Sequence, residues 1–546
     1  MRTTRLLLPV LLLLAAASLA QTWVPTQAAP FAYTRFDGEY HPVTKKVYFL
    51  GGRLANSNTD GSIYSYDPAT GIYLDMGVDM TVPVSNYTVV AINAHSGSDS
   101  IGFLVVGGRN SSGVGVNNLQ AYVAIGNAVY NQTSDPWPGT IGGGITQPAQ
   151  GVISYNNKLY AFGGYNNTTA PYCSDSTYIF DVSQPSGSRW SRAPANLSVA
   201  RGYIMPAVVD GKIYAIGGDT YDGASLYAST MVERLDPANL AAGWQAMASL
   251  PTPLGEAQAF GFDTGSPYGL GGYIILAGGG AWPADTNLCF IYNVAGNAWT
   301  SFPWNLNYKR RDHAGVMIPD TLYANGDPGI WVFGGRSGSD ATVLNIPEYL
   351  PMPFPPLYLE ASPLPGAAFL SWQGMSGTVL AYKIYRSAVS GGPYDSIGVS
   401  AINTYTDNAA PVGNTYYYVV KAQYQIGTKV AESIYSPEAS AYVGVAGGPT
   451  SALPGAYQLS GGRPNPMRGQ AEISFALPKA GPVSIDVYNV AGQRVRNLAD
   501  RTYPAGYHQL RWNGADDHGL KLAAGVYLLR MSATGFTTAT KMVVIR

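Results

Sequence analysis

A short apolar phrase that ends in two glycines recurs six times along the chain. The phrases are VYFLGG, FLVVGG, LYAFGG, IYAIGG, IILAGG and IWVFGG, and their first glycines are residues 51, 107, 163, 217, 278 and 334. Successive copies are therefore 54 to 61 residues apart. A nearly fixed period of this length indicates a repeat architecture, in which each unit buries its apolar surface against its neighbours.

Each repeat carries the pattern of a four-stranded antiparallel sheet. In the fourth unit, YIMPAVV and KIYAIGG are two apolar strands joined by an Asp-Gly turn, and STMVERLD and GWQAMAS follow as the third and fourth strands. These strands are apolar on both faces, so one sheet cannot be buried alone, whereas radial packing of such sheets covers both faces. The sequence predicts an all-β fold that begins with a six-bladed propeller.

The two ends of the repeat region predict how the ring closes. The sixth unit has a third strand but no Trp-bearing fourth strand before the Pro-rich segment PMPFPP. At the other end, QTWVPTQ places Trp23 ahead of the first unit. We therefore expect residues 21–28 to supply the missing outer strand of the last blade, beside the segment around Val343, within a propeller that spans residues 21–350.

The pattern of each unit resembles the kelch repeat. A glycine pair after an apolar strand is followed by Tyr and then Trp, as in Tyr178 and Trp190 of the third unit and Tyr292 and Trp299 of the fifth. The second unit departs from the pattern, with AYVAIGNAVYNQT in place of a Trp-bearing strand. The resemblance implies a six-bladed kelch-type β-propeller, a fold that carries both binding proteins and enzymes.

The pattern of predicted strands changes in the C-terminal third. Short alternating strands over residues 355–443 resemble a fibronectin type III module, in which Trp372 would be the buried core residue, and residues 444–456 form a Gly- and Pro-containing linker. Residues 457–546, with ISFALP, VYNVAGQRVR and GVYLLR, resemble the Ig-like C-terminal sorting domain of type IX secretion and equally the Ig-like module of flagellar hook-capping proteins. That resemblance implies that secretion machinery recognises the domain. The alternative is a structural β-sandwich.

The N-terminus and the charge balance bear on localisation and partners. MRTTRLLLPVLLLLAAASLAQT has the basic, apolar and small-residue regions of a secretory signal, so we expect residues 1–20 to be cleaved after Ala20. No later segment is long and apolar enough to cross a bilayer. We expect a bacterial protein that is secreted or held at the outer cell surface. The chain has 32 Lys and Arg residues against 33 Asp and Glu residues, so it has no excess positive charge with which to bind the phosphates of a nucleic acid.

Two cysteines are compatible with export, but their spacing argues against a disulfide. Cys173 and Cys289 occupy similar places in the third and fifth repeats, with a whole repeat between them. A disulfide needs Cα atoms within about 7 Å, which blades separated in this way do not allow. We predict two free thiols.

Strand alternation predicts a shared functional face. The loop after each second strand and the loop before each first strand emerge on the same side of a blade. Arg53, Arg109 and Arg336 each follow a glycine pair, so they are expected to lie on the same face of neighbouring blades. The other polar or aromatic candidates on this face are Arg35, Arg201, Glu256, Arg310, Arg311, His313, Tyr165, Asn166, Asp219, Tyr221 and Trp282. Such a face suits a carboxylate or a sugar. The alternative is that the arginines brace the blades through loop carbonyls.

Three functions fit this face. The favoured hypothesis is an exported, non-enzymatic protein that binds protein or glycan there, without cofactor or metal. The second is a carbohydrate-active enzyme similar to the sialic-acid mutarotases on kelch rings, with Glu256, Arg201, Arg311 and His313 as candidate acid–base groups. The third is an architectural component of a filament or surface layer. Copper chemistry is disfavoured because His41 and His95 fall in first hairpin turns, where solvated side chains are expected.

Overall fold

The computed structural model describes most of the chain between residue 23 and residue 545. The described ranges are 23–93, 101–168, 170–281, 283–319, 328–338, 342–364, 366–426, 429–444, 456–459, 467–489, 492–503, 506–516 and 521–545. The predicted signal segment 1–20, Trp282, His95 and most of the predicted linker lie outside them. Within these ranges the regular structure is β, apart from one 3-10 turn at Leu240–Ala242. The all-β fold class is confirmed.

Six four-stranded antiparallel sheets form the propeller blades, which we number 1 to 6 along the chain. From the axis outward, the strands of blade 1 are Gly38–His41, Lys46–Arg53, Thr59–Asp67 and Ile72–Asp79. Those of blade 2 are Val89–Asn93, Ile101–Val106, Leu119–Val123 and Ala128–Asn131. Those of blade 3 are Val152–Tyr155, Lys158–Phe162, Thr177–Asp181 and Trp190–Arg192. Those of blades 4 and 5 are Met205–Val209, Lys212–Ile216, Val232–Leu235 and Gln245–Ala246; and Gln258–Phe262, Tyr273–Ala277, Cys289–Asn293 and Ala298–Ser301. Three two-stranded ribbons rise from the loops, namely Thr140–Ile141 with Gly144–Ile145, Asp219–Tyr221 with Leu226–Ala228, and Gly280–Ala281 with Ala284–Asp285.

Blade 6 joins the two ends of the ring. Its strands from the axis outward are Ala314–Ile318, Gly329–Phe333, Glu348–Pro351 and Val24–Pro25. Val24 pairs with Tyr349, and Pro25 pairs with Glu348. The segment around Val343 was expected to receive this strand, but Val343 instead bridges Arg336. The innermost strands of consecutive blades contact one another all the way round, including those of blades 6 and 1, so the ring is closed.

The recurrent glycine pair has a physical reason that is clearest in blade 4. Gly217 and Gly218 have φ of 54° and 99°, in the left-handed region that glycine adopts at low cost. A Cβ on Gly217 would lie 2.2 Å from the carbonyl oxygen of Leu254, which precedes the first strand of blade 5. The N–H of Gly218 donates to that carbonyl at 2.9 Å. In blades 3 to 6 the glycine pair packs in this way against the loop that enters the next blade, whereas a Cβ on Gly51 or Gly107 would meet a carbonyl oxygen of its own blade. A nearby carbonyl and a positive φ therefore require glycine in each repeat.

Large side chains fill the spaces between blades. Between blades 1 and 6, the ring centroids of Phe49 and Phe333 are 4.8 Å apart, and those of Tyr66 and Trp331 are 5.5 Å apart. At the ring closure Trp23 is fully buried, and its indole N–H donates to the carbonyl of Trp304 at 3.2 Å. The propeller is thus held by a series of apolar interfaces between neighbouring sheets rather than by one central core.

A β-sandwich follows the propeller. One sheet contains Glu360–Leu364, Ala367–Ser371 and Thr404–Asp407, and the other contains Thr378–Ser387, Asp395–Ser400, Asn414–Ile426, Lys429–Glu432 and Ala439–Val443. Trp372 is buried, with its ring centroid 5.2 Å from that of Tyr382. The hydroxyl of Tyr424 donates to the carbonyl of Phe354 at 2.8 Å, which fixes this sandwich to the end of the propeller segment.

The last domain is a second sandwich. Its sheets consist of Gln458–Leu459, Ala471–Leu477 and Gly506–Trp512, and of Gly481–Tyr488, Arg494–Tyr503, Gly525–Ala533 and Phe536–Val544. Alternate residues of these strands, such as Ile473, Ile485 and Leu529, are fully buried between the two sheets. The domain therefore has its own apolar core.

Candidate functional site

Six residues at equivalent positions in the repeats form a ring around one end of the propeller axis, which we call the inner ring. Each lies two or three residues before the first strand of its blade and has φ between 52° and 60°; they are Arg35, Asn86, Ala149, Tyr203, Glu256 and Asp312. The N–H of Asp312 donates to Glu256 at 3.0 Å, that of Arg35 to Asp312 at 2.8 Å, and that of Asn86 to Arg35 at 2.8 Å. A chain of backbone hydrogen bonds thus passes from blade 5 through blades 6 and 1 to blade 2.

A second ring lies beside the first and consists of the residue that follows each glycine pair. Each member forms a β-bridge with the loop before a first strand; the members of this outer ring are Arg53, Arg109, Tyr165, Asp219, Gly280 and Arg336. Arg336, Arg53 and Arg109 come from the consecutive blades 6, 1 and 2. We call the inner and outer rings together with Arg311 the mouth.

The acids of the mouth are buried and hold arginines. Arg311 lies 2.8 Å from Glu256, and Arg336 lies 3.6 Å from Glu256 and 2.8 Å from Asp312. Arg35 lies 3.4 Å from Asp312. The side chains of Glu256 and Asp312 are each only 3 % exposed, so these ion pairs lie beneath the surface of the mouth.

Asp219 adds a third buried acid. Burial raises the pKa of Asp219 well above its ordinary value, the carboxylates of Glu256 and Asp312 add to this effect, and Arg311 and Arg336 oppose it. Burial also raises the pKa of Glu256. One oxygen of Asp219 and one of Glu256 are buried without a hydrogen-bond partner.

The charge that reaches solvent at the mouth is positive. Arg53 and Arg109 are partly exposed, and among the described residues neither guanidinium has a carboxylate within 4.0 Å. The Nε of Arg109 donates to the carbonyl of Gly113 at 2.8 Å. Burial and the guanidinium groups of Arg35, Arg109 and Arg336 lower the pKa of Arg53 to about 10. Arg53 is therefore crowded by like charges, and its own guanidinium has no described carboxylate within 4.0 Å.

Three tyrosines lie at blades 3 and 4, next to the blade that carries Arg109. The ring centroid of Tyr165 lies 5.6 Å from that of Tyr203 and 5.3 Å from that of Tyr221. The side-chain amide of Asn86 donates to the hydroxyl of Tyr203 at 2.8 Å. Burial raises the pKa of Tyr165 to about 12, so its hydroxyl keeps its proton at neutral pH. Tyr165 and Tyr203 are buried, whereas Tyr221 is partly exposed.

Two arginines predicted for the functional face each brace a single blade instead, since each ties the loop before the first strand to the second and third strands of that blade. Arg201 donates to the carbonyl of Gly217 at 2.8 Å and to Glu233 at 2.6 Å. Arg310 occupies the equivalent position two blades on, donating to the carbonyl of Gly334 at 2.9 Å and to Glu348 at 2.7 Å. Both side chains are fully buried. Each arginine comes one residue before the bridged residue, so its side chain turns away from the mouth.

The four predicted acid–base residues do not form one cluster. Glu256 and Arg311 are in contact, but Arg201 pairs with Glu233, and His313 is fully buried beside Gly278 and Gly335. Burial and the Arg310 guanidinium lower the pKa of His313 well below its ordinary value, which keeps the ring neutral. The structure therefore does not bring the four predicted residues together, and their catalytic role stays a prediction.

The structure corrects two smaller expectations and describes the thiols. His41 is fully buried, and its Nδ1 accepts hydrogen bonds from the N–H groups of Val43 and Thr44, so it is not a solvated turn residue. Asn166 is also buried and binds its own loop rather than facing the mouth. Cys173 and Cys289 are buried free thiols, and burial raises their pKa to about 11 and about 12.

Sequence reasoning missed four of the six inner-ring residues, namely Asn86, Ala149, Tyr203 and Asp312. The six residues share no chemistry, so no residue type marks the position. The detectable signal is the spacing, because each member lies at nearly the same distance before an apolar first strand. Among the described residues, no group of three or more His, Cys, Asp or Glu side chains is arranged to hold a metal ion.

Comparisons with known proteins match two parts of the chain. The sequence model of the Kelch motif matches residues 149–196, which contain all four strands of blade 3. The sequence model of the FlgD Ig-like domain matches residues 465–535, within the last sandwich. The propeller is therefore of kelch type, and the C-terminal domain is Ig-like.

Searches of whole proteins add a fold neighbour. A solved structure titled "Structure of YjhT" matches with 16% identity and a TM-score of 0.42, covering 59% of this chain and 95% of that chain. No curated protein sequence matches the chain. In the described part of the chain, no helix has the length and apolar character needed to span a membrane.

Proposed function

We propose that the protein is a binding protein whose propeller mouth recognises a carboxylate-bearing sugar of a glycan. The observation that carries the proposal is the pair Arg53 and Arg109, which are partly exposed and have no carboxylate partner among the described residues. A guanidinium binds a carboxylate through two parallel hydrogen bonds, and such bonds are stronger than those between neutral groups. A bound carboxylate would also relieve the repulsion that lowers the pKa of Arg53.

The tyrosines at blades 3 and 4 favour a sugar over a simple anion. Tyr221 is partly exposed and packs on the buried Tyr165, and an exposed aromatic ring can pack against the C–H face of a sugar. The buried acids Glu256 and Asp312 hold Arg311 and Arg336 in place beneath this surface. The mouth is thus preorganised before a ligand arrives, which reduces the entropic cost of binding.

Glycan-array binding and calorimetry of the full chain test the proposal. Arg53→Gln and Arg109→Gln should each weaken binding of a uronate-bearing glycan by about 10- to 100-fold, since a hydrogen bond to a charged group contributes about 1.5–3 kcal/mol. Arg192→Gln is the control, because Arg192 is exposed on the outer strand of blade 3. Unchanged binding by both mouth variants would exclude the mouth as the site, and capture of acidic proteins but no glycan would reassign the ligand.

We also propose that the protein acts outside the bacterial cell. The signal-like residues 1–20 support export, and the Ig-like C-terminal domain supports recognition by secretion machinery or attachment at the surface. Fractionation of the native host tests this. Full-length protein that keeps residues 1–20 and stays in the cytoplasm would contradict it.

A carbohydrate-active enzyme is the second candidate. The observation in its favour is that Glu256 and Asp219, two buried acids with raised pKa, each have one oxygen without a hydrogen-bond partner. A carboxyl group that holds its proton near neutral pH can serve as a general acid. Interconversion of sugar anomers that is abolished by Glu256→Gln, in a variant that still binds the glycan, would favour the enzyme over the binding protein.

A further inference from the structure

A groove of about 420 Å³ lies on blade 1, on the same face as the mouth. It is formed by the segment before the first strand and by the loop after the glycine pair of that blade. Its lining includes Phe31, Tyr33, Leu54, Asn56, Asp60 and Tyr64. Its volume is within the range of pockets that hold small ligands.

The groove and the mouth share one wall. Thr34 and Arg53 exchange two backbone hydrogen bonds of 3.0 Å, which join the two segments side by side. Tyr33 and Leu54, the neighbours of this bridge, line the groove. Arg53 itself belongs to the mouth, so a ligand held at its guanidinium lies directly beside the groove.

The chemistry of the groove differs from that of the mouth. The ring of Phe31 stacks on that of Tyr33 at 4.7 Å and lies 4.9 Å from that of Tyr64, which forms an aromatic floor. Asp60 accepts hydrogen bonds from the hydroxyl of Tyr33 at 2.5 Å and from the N–H of Ser62 at 3.0 Å. Burial opposes the ionisation of Asp60, but these hydrogen bonds outweigh it and lower its pKa.

An ionised Asp60 decides which ligand fits. The hydroxyl of Ser62 also donates to Asp60, at 2.9 Å. A carboxylate has about four acceptor positions, so Asp60 can still accept a hydrogen bond from a sugar hydroxyl, and the exposed amide of Asn56 lies on the same groove. The same negative charge repels an acidic sugar. The groove therefore suits a neutral sugar, whereas the exposed arginines of the mouth suit an acidic one.

We propose that the groove is a second subsite, which binds a neutral sugar linked to the carboxylate-bearing sugar held at Arg53 and Arg109. The ligand is then an oligosaccharide with an acidic and a neutral residue in sequence. This inference rests on the proposed glycan-binding function and adds the class of glycan. The shared wall at Thr34 and Arg53 makes the two subsites adjacent.

Calorimetry of the full chain with three probes separates the two subsites. The probes are glucuronic acid, disaccharides in which glucuronic acid is linked to a neutral hexose, and a disaccharide of two neutral hexoses. Ala55→Trp fills the groove, because Ala55 is exposed and lines it, while leaving the mouth intact. Ala224→Trp is the matched control, since Ala224 is exposed in the corresponding loop of blade 4.

We expect the acidic disaccharide of the right linkage to bind about 10-fold tighter than glucuronic acid, which corresponds to about 1.4 kcal/mol. Ala55→Trp should abolish that advantage and leave the affinity for glucuronic acid unchanged, and Ala224→Trp should change neither. If glucuronic acid binds but no disaccharide binds tighter, or if Ala55→Trp weakens both equally, the groove is not a subsite and the mouth remains one. If the wild-type chain binds neither acidic probe, both proposals fail.

Discussion

Trp23 is expected to hold the ring closed. Its replacement by Ala should therefore lower the stability of the propeller much more than the replacement of the adjacent Val24 by Ala. The side chain is fully buried against the cluster that contains Phe302, Leu306 and Leu350, and its indole N–H donates to the carbonyl of Trp304. Loss of a buried Trp to Ala costs about 3–5 kcal/mol, and the carbonyl left without its donor adds about 1 kcal/mol. Trp23→Ala should therefore reduce stability by about 4–6 kcal/mol.

Thermal denaturation of the full chain, followed by far-UV circular dichroism, measures this effect. At roughly 2–4 °C per kcal/mol for a domain of moderate size, the propeller transition should fall by about 8 °C or more. Trp23→Phe keeps much of the apolar surface and should lose less. Val24→Ala is the control, because Val24 is 39% exposed and a surface change of this kind alters stability by about 0.5 kcal/mol or less. Equal transitions for Trp23→Ala and Val24→Ala would show that the N-terminal strand does not hold the ring.

Two further predictions concern buried groups. Arg310→Met leaves the Glu348 carboxylate buried without its cation, so it should lower the free energy of unfolding by about 3–5 kcal/mol. The double variant Arg310→Met with Glu348→Gln should recover most of that loss in the same denaturation assay. A double variant as unstable as Arg310→Met alone would show that this ion pair does not brace the blade. The thiols of Cys173 and Cys289, whose pKa burial raises, should not react with a disulfide reagent in the native state at neutral pH, and both should react after denaturation. A native chain that reacts at either thiol would refute their burial.

The propeller could be predicted because its requirements are local. Gly217 must adopt a positive φ where a Cβ would meet the carbonyl of Leu254, and the same need arises in every blade. A local steric requirement of this kind restricts one position to one residue type, and so it appears in the sequence as a period. The closing strand could be anticipated for a similar reason, since the last unit lacks a strand and Trp23 stands ahead of the first.

The roles of the arginines could not be predicted in the same way. Arg310 and Arg311 are adjacent in sequence, yet Arg310 pairs with Glu348 inside blade 6 and Arg311 pairs with Glu256 at the mouth. Their partners lie 38 and 55 residues away, and side-chain direction alternates from one residue to the next. A charge count along the chain therefore cannot separate a brace from a binding group.

The amino-acid sequence by itself determined the number of blades, the glycine pair of each blade and the β-sandwiches that follow, because these depend on strand periodicity and on backbone angles within a few residues. Only the tertiary structure decided that Glu256 and Asp312 lie buried beneath the mouth while Arg53 and Arg109 remain without a described acidic partner. The physical reason is that neutralisation of a charge depends on distances of a few ångströms between residues from different blades. Those distances exist only once the ring has closed.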